Sequence, residues 1–204
     1  IAGRDAKLSR ERLGDRQATA GERLLGTAFA QFPKRVAHSD DRQLGRPPRA
    51  ILEVSSRCPS GHPNGVKTEP RLPDGTPFPT LYYLTCPRLT GAIGTLESAG
   101  LMAEMSERLL VDEDLAAAYR SAHESYLAER AAIADVPEID GISAGGMPER
   151  VKCLHVLIAH SLAKGPGVNP LGDEAVALLG DWWSGSTCAP ASTFPRAPST
   201  LPIT

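Results

Sequence analysis

The segment that decides the fold lies at residues 80–85 and reads Thr-Leu-Tyr-Tyr-Leu-Thr. A run of β-branched and aromatic residues of this kind favours a β-strand. Apolar and β-branched residues predict two further short strands upstream, over residues 51–54 and 66–72. Turn clusters rich in Gly, Pro, Asn and Asp separate the three segments. Three short strands joined by tight turns predict an antiparallel meander.

From Pro87 onward the pattern becomes helical, because apolar residues recur three or four positions apart. Asp112 has the side chain that caps a helix, and two acidic residues follow it in the first turn. A later helix is predicted to begin at Pro148, and the last one to cover residues 173–183, with a capped start that also explains Asn169. The sequence therefore predicts an α+β fold, in which a small antiparallel three-stranded sheet packs with about five helices.

The charge of the chain is small overall but unevenly distributed. Lys and Arg number 22 and Asp and Glu 24 among 204 residues, a formal net charge of −2, which makes nucleic acid an unlikely partner. The first 49 residues hold eleven basic against six acidic residues. We expect a poorly ordered basic leader over residues 1–42, the α+β domain over residues 43–188, and a disordered tail over residues 189–204. No apolar run is long enough to span a membrane, and no secretion signal is recognisable, which predicts a cytoplasmic protein.

The four cysteines are candidates for a metal site, although they lack the close-spaced pairs of a zinc finger. The predicted ligands of a structural zinc ion are Cys58, Cys86, Cys153 and His160. On a regular helix that begins at Pro148, Cys153 and His160 share a face, whereas His155 lies about 160° away from Cys153. Cys153 and His155 are therefore not expected to bind one ion. The simpler interpretation is a small buried cysteine beside hydrogen-bonded histidines.

A glycine pair followed by basic residues predicts an anion site. Backbone amides of such a pair and of the helix behind it can bind a phosphate or a carboxylate. The candidate residues are Gly145, Gly146, Arg150 and Lys152, together with Arg57, Arg71 and Arg88 from the strand region. We expect at least one of these three arginines to converge with Arg150 and Lys152. The competing interpretation is a flexible glycine loop with basic residues at the surface.

Cys86 is a candidate for a different chemistry, because it stands where the best strand passes into a helix. A thiol at a helix N-terminus can have a lowered pKa and act as a nucleophile. Its expected partner is His155 or His160, which the sequence does not place in space.

Four segments together resemble the DUF501 family, a group of uncharacterised bacterial proteins common in actinobacteria. They are Arg57-Cys58-Pro59, PRLPDGTPFPTLYYLTCP at residues 70–87, GGMPERVKCLHVLIAH at residues 145–160, and GPGVNPLGDE at residues 165–174. The resemblance covers roughly residues 43 to 188 and implies a bacterial cytoplasmic protein, with no activity attached. Many members of that family read Cys-Pro-Cys-Gly where this chain has Ser60 in place of the second cysteine.

Two classes of function remain open at this point. The first is a binding or regulatory module for an anionic, phosphate-like ligand such as polyphosphate, or for a partner protein, with or without a structural zinc ion. The alternative is a metal- or cysteine-dependent hydrolase of a phosphorylated or acyl substrate. The sequence does not decide whether the protein is an enzyme, nor its oligomeric state.

Overall fold

A three-stranded antiparallel sheet, with strands in the order β1-β2-β3, opens the part of the chain that the computed structural model describes, residues 50–184. The strands are β1 (Ile51–Arg57), β2 (Pro63–Thr68) and β3 (Tyr82–Leu84). The prediction of an antiparallel three-stranded sheet is confirmed.

The register between β2 and β3 is regular and pairs Val66 with Tyr83. Hydrogen bonds flank this pair, from Thr68 N to Leu81 O at 2.9 Å and from Thr85 N to Asn64 O at 3.0 Å. Side chains alternate between the faces of a strand. Tyr82 and Leu84 accordingly face the core and are buried, while Tyr83 between them is half-buried.

Within residues 50–184 five α-helices follow the sheet, as predicted, and with it they form an α+β fold. They are α1 (Pro87–Ser98), α2 (Leu101–Leu109), α3 (Glu113–Ala131), α4 (Leu154–Lys164) and α5 (Pro170–Leu178), with a short 3-10 helix at Pro137–Ile139.

Two helices begin at side-chain caps. The carboxylate of Asp112 accepts a hydrogen bond from Leu115 N at 2.9 Å, and α3 begins directly after it, as predicted. The amide oxygen of Asn169 accepts one from Gly172 N at 2.9 Å. Because Asn169 caps the helix, α5 begins at Pro170, three residues before the predicted start, and it ends at Leu178 rather than at residue 183.

Helix α4 is the centre of the fold, since it packs against all three strands and against α1 and α5. Leu154, Leu157 and Ile158 are completely buried, and so is His160 on another side of the helix. A helix that is buried on most of its surface is covered by neighbours on more than one side. The first turn of α4 therefore lies beside β3, which positions the site described next.

The predicted leader at residues 1–42 and the predicted tail at residues 189–204 lie outside the described residues, and the domain limits 43–188 stay a prediction. Within residues 50–184 no helix combines the length and the apolar character that a membrane crossing requires.

Candidate active site

The helix that was predicted to begin at Pro148 begins at Leu154 instead. The intervening loop closes on itself, because Arg150 N donates to Gly146 O at 3.1 Å and Lys152 N donates to Gly145 O at 2.7 Å. Cys153 thus precedes the helix as its N-cap, with extended backbone angles (φ −156°, ψ 114°). Its thiol stands at the positive end of the α4 dipole.

The glycine pair of this loop is explained by backbone conformation. Gly145 and Gly146 have φ angles of 76° and 93°, a region that side chains rarely adopt. A Cβ on Gly146 would stand 2.7 Å from the carbonyl oxygen of Arg150, and one on Gly145 would stand 2.8 Å from the Leu157 side chain. The two glycines therefore let the loop pack against the first turn of α4.

Cys153, His155 and Glu97 form one cluster, in which a ligand atom of each lies within 4.8 Å of the others. Oε1 of Glu97, in the last turn of α1, accepts hydrogen bonds from Nδ1 of His155 at 3.1 Å and from Leu154 N at 2.8 Å. The expectation that Cys153 and His155 diverge is wrong, because it assumed a regular helix through Cys153. The extended backbone at Cys153 instead brings its thiol to the imidazole two residues later.

The cluster favours a thiolate beside an imidazolium. Burial acts to raise the pKa of the Cys153 thiol, but hydrogen bonds from His155 and the Val156 amide oppose it, and the net pKa lies below the ordinary value. The hydrogen bond to Cys153 is the largest cause that raises the pKa of His155. Burial lowers this pKa, but the hydrogen bond and the charge of Glu97 raise it further, and the net pKa of His155 is about 9. At neutral pH His155 is therefore protonated and Cys153 is shifted toward its reactive form.

A cleft of about 580 Å³ opens beside this cluster. Its volume is in the range of sites that bind small molecules or peptide segments. The lining comes from β3 and its flanking residues, from the start of α4 and from the first turn of α1. The lining residues are Thr80, Tyr82, Tyr83, Leu84, Thr85, Pro87, Thr90, Cys153, His155 and Val156.

The predicted zinc ligands do not assemble as one group. Among residues 50–184, the cluster with Glu97 and His155 is the one that brings together three potential metal-binding side chains, and it contains Cys153 but none of the other predicted ligands. Cys58 and Cys86 are free, buried thiols with 4% and 1% of their surface exposed. Cys86 is the N-cap of α1, as predicted, but its burial leaves Cys153 as the accessible thiol at a helix N-terminus.

His160 is a core residue that packs between two tyrosines. Its ring stacks on Tyr82 with centroids 5.7 Å apart and meets the edge of Tyr126 at 5.3 Å. Nδ1 lies 3.3 Å from the side-chain nitrogen of Asn169, whereas Nε2 is buried without a hydrogen-bond partner. Burial lowers the pKa of His160 to about 4, so the ring is neutral at physiological pH.

The residues predicted to bind an anion have local roles where the structure shows contacts. The guanidinium groups of Arg57, Arg71 and Arg88 donate to backbone carbonyls of Gly61, Gly75 and Ser184, and Arg71 also pairs with Glu138 at 2.8 Å. Arg150 and Lys152 are exposed, and none of these five basic residues lines the cleft. The first backbone N–H of α4, that of Leu154, donates to the carboxylate of Glu97 rather than to an anion. Convergence of the basic residues on an anion stays a prediction.

Sequence reasoning did not single out Glu97, although a signal was present. An acidic residue in the last turn of a helix opposes the helix dipole, so it needs a favourable partner elsewhere. Glu97 is the penultimate residue of α1, and that partner is the opposite, positive end of α4 together with His155.

Comparison with known proteins gives a family and no activity. A family model described as "Protein of unknown function (DUF501)" matches residues 54–177. The chain belongs to the DUF501 family. The DUF501 match spans β2, β3, the first four helices and all but the last residue of α5, and it includes Glu97, Cys153 and His155. No curated protein matches this DUF501 chain, and no solved structure matches it.

Proposed function

We propose that this protein is a cysteine-dependent hydrolase of acyl substrates, with Cys153 as the nucleophile. The observation that carries the proposal is the thiol of Cys153 at the N-terminus of α4, clustered with an imidazole whose Nδ1 is hydrogen-bonded to Glu97. His155 is the general acid and base, and Glu97 is a positioning residue that acts through His155. A nucleophile, a base and a group that orients the base are the parts of a covalent hydrolytic site.

The reaction proceeds in two steps that balance without a redox partner. The Cys153 thiolate attacks the carbonyl carbon, and a C–S bond forms as the bond to the leaving group breaks. The leaving group departs with the proton of the His155 imidazolium. Water then gives a proton to His155 and attacks the thioester, which releases a carboxylic acid and restores the thiolate. Acyl substrate and water thus become acid and protonated leaving group.

An acyl substrate fits the cleft better than a phosphorylated one. Among the residues of the described range 50–184 that line the cleft there is no lysine or arginine, and His155 is the cation there. That cation already faces the Cys153 thiolate and the Glu97 carboxylate. A phosphate dianion would therefore enter without a basic partner of its own, whereas a neutral acyl group requires none.

Alkylation of Cys153 as a function of pH tests the nucleophile. The fourth cysteine of the chain, Cys188, lies outside the described residues and is replaced by serine for this experiment. The Cys188→Ser protein is treated with iodoacetamide between pH 5 and 10, and the modified cysteines are identified by peptide mass spectrometry. We expect Cys153 to react with a midpoint below that of a free thiol, which is near 8.5, because the hydrogen bond from His155 favours the thiolate. Buried Cys58 and Cys86 serve as internal controls and should stay unmodified in the folded protein.

The partner of the thiol is tested by His155→Asn. Loss of the imidazolium should move the midpoint of Cys153 alkylation toward higher pH, because its stabilising hydrogen bond and charge are gone. Hydrolysis of p-nitrophenyl acetate should fall at least a hundredfold in both Cys153→Ala and His155→Asn, in line with the usual size of acid–base catalysis. A midpoint at the free-thiol value in the parent protein would overturn the assignment.

A second candidate is a metal-dependent hydrolase, favoured by the same cluster of Glu97, Cys153 and His155. Thiolate, imidazole and carboxylate all bind zinc, and three protein ligands leave a fourth position for water. Against this reading, Oε1 of Glu97 already accepts two hydrogen bonds. Bound zinc would protect Cys153 from iodoacetamide until a chelator is added. Equal alkylation rates with and without chelator, and no stoichiometric zinc in protein purified without an affinity tag, favour the thiol.

Free thiols at Cys58, Cys86 and Cys153 are compatible with a reducing compartment, and we propose the cytoplasm as the location of the protein.

A further inference from the structure

The cleft runs along the outer edge of β3. Its lining includes Tyr82 and Leu84 from one face of the strand and Tyr83 from the other. Residues from both faces can border one cavity only where the cavity meets the edge of the strand. Within residues 50–184, β3 is an edge strand, because β2 pairs with one side and no other strand pairs with the opposite side.

The register between β2 and β3 decides which backbone groups of β3 face β2 and which point away from it toward the cleft. The carbonyl of Leu81 and the N–H of Thr85 point to β2, as the bonds from Thr68 N to Leu81 O and from Thr85 N to Asn64 O show, and Tyr83 pairs with Val66 between them. Hydrogen-bonding and non-bonding positions alternate along an antiparallel pair. Tyr82 and Leu84 therefore direct their backbone groups away from β2. At the start of the strand the Leu81 N–H departs from this pattern and donates to the hydroxyl of Tyr126 at 2.5 Å.

The remaining lining is neutral. Apart from the cluster at Cys153 and His155, it consists of threonines, tyrosines and apolar residues from β3, α1 and α4. Hydroxyl groups and exposed strand backbone bind uncharged amide groups, and apolar side chains bind apolar side chains. Residues 80–85 would extend over roughly 17 Å in a strand, the length of four to five residues of a paired chain.

We propose that the acyl substrate is an extended, uncharged peptide segment of about four residues, which adds to β3 as a further strand and presents a backbone carbonyl to Cys153. This inference rests on the proposed function and specifies its substrate class. Main-chain hydrogen bonds to a free strand edge give such complexes their affinity, and side-chain pockets give them specificity. The thiolate attacks the peptide carbonyl, the C–N bond breaks, and the amine leaves with the proton of His155.

Peptide electrophiles provide the test, with the Cys188→Ser protein. Acetyl-capped tetrapeptides of neutral residues that end in a chloromethyl ketone are compared with a capped single residue carrying the same group. We expect saturable labelling of Cys153 by the tetrapeptides, at least tenfold faster than by the single residue. Backbone N-methylation should slow labelling about fivefold at every second amide, the effect of one lost hydrogen bond, and should have little effect at the amides between.

A matched pair of variants locates the peptide in the cleft. Thr90 lines the cleft and donates its hydroxyl to Pro87 O at 3.0 Å, while exposed Thr95 makes the equivalent bond to Gly91 O at 3.3 Å outside it. Thr90→Phe should lower the ratio of tetrapeptide to iodoacetamide labelling rates at least tenfold. Thr95→Phe, one and a half turns further along the same helix, should leave that ratio unchanged.

The outcomes separate this inference from the function on which it rests. If iodoacetamide fails to modify Cys153 below the pH range of a free thiol, the proposed hydrolase itself is wrong. If iodoacetamide reacts as expected but tetrapeptides label no faster than the single residue, the peptide substrate is wrong and the thiol stands. A methylation effect that is equal at all amides would overturn strand addition.

Discussion

Oε1 of Glu97 lies 3.1 Å from Nδ1 of His155, although 58 residues separate the two in the sequence. The same oxygen accepts the backbone N–H of Leu154 at 2.8 Å. One carboxylate therefore binds the first amide of α4 and the imidazole in its first turn. This double contact fixes the orientation of His155 relative to the thiol of Cys153, and it links α1 to the start of α4.

Replacement of Glu97 by glutamine separates its charge from its shape. The glutamine oxygen can still accept the Leu154 amide, so the fold should persist, but the negative charge that favours imidazolium is lost. We expect the pKa of His155 to fall from about 9 by roughly one pH unit or more. NMR titration of the His155 ring measures it, with Glu104→Gln, an exposed carboxylate on α2, as the control. An unchanged midpoint in Glu97→Gln would contradict the positioning role.

Arg130 supplies a structural prediction on the other side of the fold. Its buried guanidinium donates to the carbonyls of Ile139 and Ile142 at 2.6 Å each and of Pro79 at 3.1 Å. Burial lowers the pKa of this guanidinium, and 5% of the residue's surface is exposed. A lysine lacks the planar fork that reaches three carbonyls.

We expect Arg130→Lys to reduce the free energy of unfolding by about 2–3 kcal/mol, the effect of losing charged hydrogen bonds in a buried site. Urea denaturation measures the change. Arg120→Lys, on an exposed position of the same helix, should alter it by less than about 0.5 kcal/mol. Similar losses in both variants would show that the three carbonyl contacts contribute little.

The fold could be predicted largely from local signals. The strand at β3, the cap at Asp112 and the helix break at Gly100, with its φ of 93°, are each encoded by a few neighbouring residues. Local patterns miss the start of α4, because the bonds that close residues 145–152 into a loop compete with helix there. Proline is common in the first turn of a helix but also fits a loop, so Pro148 alone does not determine which of the two forms here.

The candidate site could be predicted only in part. Cys153 stood among the predicted ligands, but the angular argument against His155 depended on the wrong helix start. Glu97 reaches the cluster through a tertiary contact between α1 and α4 that no spacing in the sequence reports. A helix dipole argument could have marked it as needing a partner, without identifying which partner.

Tyr126 holds the start of β3 through its hydroxyl, and its removal should be destabilising. The hydroxyl accepts a hydrogen bond from Leu81 N at 2.5 Å, and Leu81 is completely buried. Tyr126→Phe leaves that amide without its partner, a loss of about 1–3 kcal/mol in unfolding free energy. Tyr119→Phe is a matched control on the same helix, because the Tyr119 hydroxyl donates at 3.2 Å to the carbonyl of Arg150, an exposed residue, and leaves no backbone N–H of a buried residue without its acceptor. Equal losses measured by urea denaturation would contradict this account.

Protonation of His160 should destabilise the fold in acid. The folded protein holds the pKa of His160 at about 4 because the ring is buried, whereas an unfolded histidine binds a proton near 6.5. The unfolded state therefore gains protons first as the pH falls. The stability that the neutral ring contributes is complete above pH 6.5 and is lost between pH 6.5 and 4. The loss amounts to about 3 kcal/mol at pH 4.

His160→Phe isolates this contribution, because phenylalanine keeps the ring contacts with Tyr82 and Tyr126 but does not titrate. Other charged groups act on the ring, namely Glu129, Asp173 and Lys164. Their effect is common to the variant and the parent, so it cancels in the difference between the two unfolding free energies. That difference is measured at each pH and compared with its value at pH 8. We expect that difference to move in favour of the variant by about 3 kcal/mol between pH 8 and pH 4. A difference that does not change with pH would mean that the buried ring accepts its proton without penalty.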